Sequence, residues 1–313
     1  MKIMHKIIFL VLFFTLYSYA DSNSTLEGIR SVLTNYYHKF LGNLDNSVNC
    51  EHTCSNTAIS TLKKNSILLI TSIKSTKENH FSPSLNIRGH INLPKFNNKL
   101  RITFNKQSSD QLTNKQIDVA NDNSINDTKL RIGLKYQLIQ KDQTDIFTRF
   151  SFKVRSPFGP YQELTLKKIF FMKKKDISAS TRASIYYYLS QSYYAKSLQI
   201  NFIKPLNDTY ILSQENDWDN NADNQHKKRL TNHLRLFHHL TKKDHLIYWV
   251  SYSSLAQNNN TYKQDYQALS ISYIHHLNKW FYVQTIPRII QKKEEHYRSE
   301  LELTLSFGML LGV

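Results

Sequence analysis

From about residue 65 to residue 313, apolar and polar residues alternate with a period of two. In the stretch 129–138 every second residue is apolar, from Leu130 to Leu138, and the residues between them are polar or glycine. Successive side chains of a β-strand point to opposite faces, so this pattern predicts strands with one apolar and one polar face. The same alternation is seen in 85–93, 99–105, 229–240 and 300–307.

The segments between these predicted strands fall into two kinds that alternate along the chain. The tight connectors are 94–98, 140–145, 173–177, 204–208, 241–244 and 277–279. The other connectors, mostly longer and polar, are 76–83, 107–127, 155–160, 190–196, 216–227, 256–264 and 290–297. Short turns on one side and longer loops on the other are typical of transmembrane barrels. We therefore expect an all-β fold, a closed antiparallel transmembrane β-barrel of about 14 (12–16) strands over 65–313. A soluble periplasmic β-sandwich or soluble barrel is the alternative, because it also alternates.

The first twenty residues have the features of a secretory signal peptide. Lys2 and Lys6 precede an apolar run, and Ser18 and Ala20 put small residues before a cleavage site. The run is shorter than the ~20 residues that a membrane-spanning helix needs. The net charge of +17 would fall to +15 without those two lysines. Since an exported chain does not meet cytoplasmic nucleic acid, we expect no nucleic-acid partner despite this basic charge.

The segment 21–64 precedes the barrel, and its first part has helical periodicity. Ser24 and Glu27 form a capping-box pattern, and apolar residues then recur at steps of three and four up to Phe40. This predicts one short amphipathic helix over 24–41. It could plug the lumen, which we favour, lie on the inner leaflet of the outer membrane, or bind a periplasmic partner.

Cys50 and Cys54 are the two cysteines of the chain. In an oxidising periplasm a pair at this spacing can close a small disulfide loop. His52 between them raises the possibility of a metal site, but the segment supplies only three local ligand candidates and no second Cys/His pair follows. We therefore predict a disulfide, and neither a metal nor another cofactor.

Taken together, the signal peptide, the alternating segment and the terminal strand Tyr297–Val313 resemble Gram-negative outer-membrane β-barrel proteins. The stretch Leu85–Asn105, with its Leu-Pro-Lys turn, is similar to an uncharacterised proteobacterial group of such barrels. The resemblance implies contact with outer-membrane lipid, location in the cell outer membrane and insertion by the barrel-assembly machinery. That machinery usually reads a last strand that ends in an aromatic residue. This chain departs from that pattern, because its last aromatic residue is Phe307 and its last residue is Val313.

The polar face of the predicted strands is unusually basic. Basic residues predicted to line the lumen are Arg88, Arg101, Arg131, Lys135, Arg149, Lys153 and Arg235, with Lys99 and Lys129 on the same face. The predicted lumenal acids are Glu163, Glu300 and Glu302. Rings of Arg and Lys in a water-filled pore favour anions, so we expect a porin-like channel for small polar or anionic solutes. The alternative is a filled, non-conducting barrel in which Arg and Glu pair across the lumen.

Two further interpretations concern aromatic and nucleophilic residues. Aromatic residues near predicted strand ends, among them Phe147, Tyr186 and Trp249, are interpreted as a membrane girdle. Ser270 or Ser272 with His275 are candidates for a membrane-embedded hydrolase. Any Ser-rich strand offers such a combination, so we predict no enzymatic activity.

A second non-transport function is a structural or receptor-like barrel, which would bind partners through loops 107–127 and 216–227.

Overall fold

The fold is taken from a computed structural model of the full chain. It describes residues 27–28, 31–32, 34–36, 39, 66–77, 81–93, 96, 99–104, 131–153, 159–172, 176–190, 192–222, 227–256 and 261–311. The strands are β1 (Ser66–Ser75), β2 (Ser82–Leu93), β3 (Leu100–Phe104), β4 (Arg131–Lys141), β5 (Thr144–Lys153), β6 (Pro160–Met172), β7 (Ile177–Tyr188), β8 (Tyr193–Pro205), β9 (Tyr210–Ala222), β10 (Lys227–His239), β11 (Asp244–Ala256), β12 (Tyr262–His276), β13 (Phe281–Lys292) and β14 (Ser299–Leu311). A short 3-10 helix, Lys293–Glu295, precedes β14.

The fourteen strands form one closed antiparallel barrel in which each strand pairs with its neighbours in sequence. The first and last strands close the wall, from the pair Ile67 and Leu311 to the pair Ser75 and Leu303. Closure removes the two free edge strands that an open sheet would expose to hydrocarbon. The predicted barrel and its strand number are confirmed.

The two faces of the wall are the reverse of those of a soluble protein. Along β6, for example, Glu163, Thr165 and Lys167 are buried and face the lumen, while the intervening Leu164 and Leu166 are exposed. Large apolar side chains exposed on the outer face include Leu134, Phe150, Ile185, Leu198, Leu234, Val250, Leu269, Ile271, Ile289 and Leu301. Water does not favour an outer surface of this kind, whereas lipid does. The chain is therefore an integral β-barrel of the outer membrane, and the soluble alternatives are wrong.

One part of the lumenal face is apolar, which the alternation did not reveal. Phe237, Ile247, Ile274 and Tyr282 form a buried cluster near the short turns, with Leu68 and Ile211 packed against it. The Tyr282 ring lies directly over Gly308, its partner in β14, where an added Cβ would overlap the ring. Glycine on β14 therefore makes room for this aromatic side chain.

Some boundaries and orientations differ from the sequence prediction. The segment 216–227 is not one long loop, because β9 continues to Ala222 and β10 begins at Lys227. Its polar residues remain in the wall because Asp217 and Asp219 pair with β8 and β10 in the ladder. The girdle interpretation is wrong for Phe147, Tyr186 and Trp249, whose side chains are only 2%, 5% and 3% exposed inside the barrel.

The N-terminal part is described only in fragments. Its described residues between Glu27 and Lys39 are helical, and Tyr36 of the predicted apolar face is 69% exposed. Within the part of the chain that the structure describes, no helix has the length and apolar character to cross a membrane. The signal peptide (1–20), Cys50, Cys54 and the loop 107–127 lie outside the described residues. The predictions about them stay predictions.

Candidate functional site

Three basic residues on adjacent strands lie directly opposite one another on the lumenal face. Arg101 of β3 pairs in register with Lys135 of β4, which pairs with Arg149 of β5. Lys135 and Arg149 are buried, and Arg101 is half-buried. We call these three residues the basic row. Like charges at directly opposite positions destabilise a sheet, so pairing between strands does not account for this arrangement.

One carboxylate continues the basic row on the next strand. Glu163 of β6 lies opposite Arg149, whose Nε donates to Oε2 of Glu163 at 2.9 Å. The other carboxylate oxygen accepts from Thr165 Oγ1 at 2.8 Å and lies 3.5 Å from Nη2 of Arg182. Glu163 is fully buried, so its charge is used to hold two guanidinium groups in place.

An aromatic ring contacts two of the cations of this wall. Nζ of Lys135 lies 3.7 Å from the centroid of the Phe147 ring, and the Arg182 guanidinium carbon lies 5.7 Å from it. The face of an aromatic ring attracts a cation without neutralising its charge. Phe147 therefore positions Lys135 and Arg182 while leaving the wall strongly positive.

The wall formed by β9 to β14 balances its charges more evenly. Arg235 donates to Oε2 of Glu215 at 2.6 Å, and Nη1 of Arg288 lies 3.5 Å from Oε1 of Glu302. The ring of Trp249 lies between the two guanidinium groups, with its centroid 5.1 Å from the Arg235 carbon and 5.3 Å from the Arg288 carbon. The basic excess is thus concentrated on β3 to β7.

Most ion pairs of the described lumen join neighbouring strands, although Arg229 of β10 pairs with Asp265 of β12, two strands away. Arg149 and Glu163 join β5 to β6, Arg235 and Glu215 join β10 to β9, and Lys74 of β1 pairs with a carboxylate of β14. The filled-barrel alternative had placed such pairs across the lumen. Register brings these partners together on neighbouring strands, since lumenal residues of paired strands face the same side.

The other predicted lumenal residues lie outside the basic row. Arg88 is half-buried on β2, and Glu300 of β14 has its carboxylate 3.5 Å from Nζ of Lys292. Arg131 and Lys153 lie opposite each other in the β4–β5 register, which adds another pair of like charges. The side chains of both lie outside the described residues.

Several charged residues of the lumen were not identified from the sequence. Lys167 and Arg182 are buried and directly opposite each other on β6 and β7, and Arg288 is buried on β13. Lys167 occupies the same face as Glu163, four residues away, so the strand alternation contained the signal. Trp249 carried no such signal, because an aromatic residue on a strand suits either face.

The predicted hydrolase residues do not form a site. Ser270 and Ser272 are buried toward the lumen, and Ser272 Oγ accepts from Gln284 Nε2 at 2.8 Å. His275 instead lies with Asp244, its Nδ1 2.7 Å from Oδ1 of that carboxylate. Neighbours in a strand point to opposite faces, which separates the serines from this histidine.

A different serine and histidine do meet in the lumen. Nδ1 of His233 lies 2.8 Å from Oγ of Ser251 and also accepts from Nε1 of Trp249 at 3.2 Å. That lone pair is therefore already engaged by the indole, which works against its use as a general base. Among the described residues, no group of three metal-ligating side chains is placed to hold a metal ion.

No protein-family model matches the sequence, and no curated protein matches it. The structure is similar to the outer-membrane channel DcaP of Acinetobacter baumannii, with a TM-score of 0.47, 7% identity, and coverage of 79% of this chain and 96% of that one. It is also similar to a loop-deletion mutant of OmpT, an outer-membrane protein of Vibrio cholerae (TM-score 0.48, 8% identity, coverage 79% and 98%). The KdgM porin, solved with disordered oligogalacturonate, has a TM-score of 0.37 at 5% identity, with coverage of 77% and 98%. These likenesses are remote, and the fold of this chain is established by its own strand pairing.

Proposed function

We propose that this barrel is a channel for small polar solutes and that it favours anions. The basic row carries the proposal. Arg101, Lys135 and Arg149 lie directly opposite one another on the lumenal face. Such an arrangement costs sheet stability. A feature that opposes folding locally is expected at functional sites.

The physical basis is electrostatic. The walls of the barrel are poorly polarisable, so the field of the basic row extends into the lumen instead of being screened at once. Small anions are concentrated there, and cations are depleted. The one carboxylate among these residues, Glu163, is fully buried and already bonded to Arg149. It therefore offers little attraction to a passing cation.

Planar-bilayer recording under a salt gradient tests the proposal. We expect the reversal potential of the wild-type channel to show anion preference. The double variant Arg101→Gln with Lys135→Gln should reduce that preference, because two charges leave the lumenal face. The control is Lys168→Gln, which removes one positive charge from the exposed face of β6, outside the lumen. A cation-preferring wild type would contradict the proposal, as would a double variant that behaves like the control.

The N-terminal segment is part of the same proposal. We propose that residues 21–64 partly occlude the lumen, in line with the amphipathic pattern over 24–41. Deleting residues 21–60 should then increase the single-channel conductance. An unchanged conductance would place the segment elsewhere. Insertion by the barrel-assembly machinery, implied by the resemblance to outer-membrane barrels, stays a prediction.

A second candidate function is a non-conducting structural or receptor-like barrel. The apolar cluster of Phe237, Ile247, Ile274 and Tyr282 favours it, because apolar groups on the lumenal face do not hydrate a passing ion. Absence of single-channel conductance for the full chain and for the N-terminal deletion would support this candidate. Neither candidate includes catalysis. Where a histidine and a serine meet, at His233 and Ser251, Nδ1 of the histidine already accepts a hydrogen bond from Trp249.

A further inference from the structure

Three neighbouring short turns, β8–β9, β10–β11 and β12–β13, carry exposed lysines at one end of the barrel. These lysines, which we call the lysine rim, are Lys204, Lys242, Lys243 and Lys279. Backbone hydrogen bonds join the turns to the next strands, from His239 N to Thr209 O at 2.9 Å and from His276 N to Lys243 O at 2.8 Å. The three turns therefore form one continuous edge of the barrel.

The lysine rim has few counter-charges. The carboxylate of Asp244 accepts from Thr241 Oγ1 at 2.6 Å and from the Tyr273 hydroxyl at 2.7 Å, and it lies 2.7 Å from Nδ1 of His275. Asp208 is the other acid of these turns, and it is exposed. In the part of the chain that the structure describes, no ion pair includes a lysine of the rim. The four ammonium groups are therefore available to a ligand from outside the protein.

Each of the three turns also exposes a large apolar side chain. Leu206, Leu240 and Leu277 lie in the successive turns, each within three residues of a rim lysine. Leucine and lysine side by side on an exposed edge fit a membrane surface. There the leucine enters the acyl region, while the lysine places its charge among the headgroups.

An aromatic band lies on the outer face of the barrel, next to the lysine rim. The His238 ring stacks on Tyr210 with ring centroids 4.3 Å apart, and Tyr248 lies 6.5 Å away on its other side. Tyr273 extends the band to β12, with its hydroxyl bonded to Asp244. Aromatic side chains of membrane barrels lie at the level of the lipid headgroups. The band therefore places the lysine rim in the headgroup layer.

We propose that the lysine rim binds anionic phospholipid headgroups. The short turns of outer-membrane barrels lie on the periplasmic side, so the lipids are those of the periplasmic leaflet. Lysines close to a membrane surface attract anionic lipids. The exposed leucines favour a lipid over a soluble polyanion, because a soluble partner would leave them in water. The inference goes beyond the channel proposal and does not depend on conduction.

Native mass spectrometry of the folded full chain in a non-ionic detergent measures lipid binding without any current. The probes are phosphatidylglycerol and phosphatidylcholine with the same acyl chains. We expect phosphatidylglycerol to bind more tightly. The double variant Lys242→Gln with Lys243→Gln should weaken its binding by roughly tenfold, the scale expected when lysines near an anionic surface are removed. Binding of phosphatidylcholine should be unchanged.

The matched control is Lys77→Gln with Lys263→Gln, which removes two exposed lysines at the opposite end of the barrel. It should bind phosphatidylglycerol as the parent does. Equal weakening by the two double variants would show a diffuse effect of charge and overturn the site. Lys204→Gln with Lys279→Gln is the second test pair if the first does not give the β-strand circular dichroism of the parent.

Two further measurements test the ligand class. Asp208→Asn should strengthen phosphatidylglycerol binding, because it removes the exposed acid of these turns. Weaker binding by this variant would contradict an electrostatic origin. Equal affinity of the parent for the two lipids would overturn the proposal, and so would tighter binding of soluble peptidoglycan fragments than of phosphatidylglycerol. All of these outcomes leave the channel proposal untouched, since ion selectivity is measured separately.

Discussion

Arg149 and Glu163 form a buried ion pair between β5 and β6, with the guanidinium Nε donating to the carboxylate at 2.9 Å. The same carboxylate lies 3.5 Å from Nη2 of Arg182 on β7. One acid therefore organises cations from both of its neighbouring strands. Removing this carboxylate therefore changes both the stability of the wall and the charge of the lumen.

Glu163→Gln should destabilise the barrel and strengthen its anion preference. The substitution leaves two buried guanidinium groups without their carboxylate, and loss of one partner of a buried pair costs about 3 kcal/mol. Denaturant unfolding in lipid vesicles measures the loss, and the reversal potential reports the selectivity. Glu300→Gln is the control, because Glu300 is paired more loosely with Lys292, at 3.5 Å. An equal loss of stability in both variants would contradict the role of Glu163 in holding the guanidinium groups of Arg149 and Arg182.

Trp249→Ala should increase the single-channel conductance. The indole lies between Arg235 and Arg288, and its removal opens space on the lumenal face beside both guanidinium groups. Stability should fall by about 3 kcal/mol, because a buried aromatic ring is lost. The control is Tyr248→Ala, whose ring is exposed on the outer face. A conductance that rises in the control and not in Trp249→Ala would reverse the assignment of the two faces.

Gly308→Ala should destabilise the barrel by about 1–3 kcal/mol, the usual cost of overpacking. The added Cβ would overlap the Tyr282 ring, which must then move. Because the cost arises from this single contact, the double variant with Tyr282→Ala should lose less stability than the two single variants combined. Unfolding midpoints of the four proteins give the coupling. Strictly additive losses would show that the ring does not depend on Gly308.

Leu234→Arg should impair membrane insertion much more than Thr231→Arg. Both residues lie on β10, but Leu234 is exposed on the outer face, whereas the Thr231 hydroxyl donates to Ser253 inside the lumen and lies opposite Asp217. Arginine on the lipid face costs about 2–4 kcal/mol at the bilayer midplane, while in the lumen it would gain an acidic neighbour. The folded fraction in vesicles measures the difference. Similar yields for the two variants would argue against a lipid-facing outer surface.

The alternation of residues such as Leu134 and Lys135 allowed a barrel of 12–16 strands, each with one polar and one apolar face, to be predicted. A strand has a local period, and a lipid-facing wall requires that period to continue around the whole barrel. The prediction of which face a side chain lies on was wrong for Phe147 and Trp249, because an aromatic residue suits either face. The prediction of a loop was wrong for 216–222, because polar residues continue the strand there. In both cases the side chain is compatible with more than one environment.

The sequence by itself determined that the chain is a strand-built barrel of about 14 strands, with a polar face rich in basic residues. Only the tertiary structure decided that Arg101, Lys135 and Arg149 lie directly opposite one another. The physical reason is that a face depends on neighbouring residues, whereas register depends on hydrogen bonding between strands far apart in sequence. Shifting one strand by two residues keeps every side chain on its face and changes all of its partners.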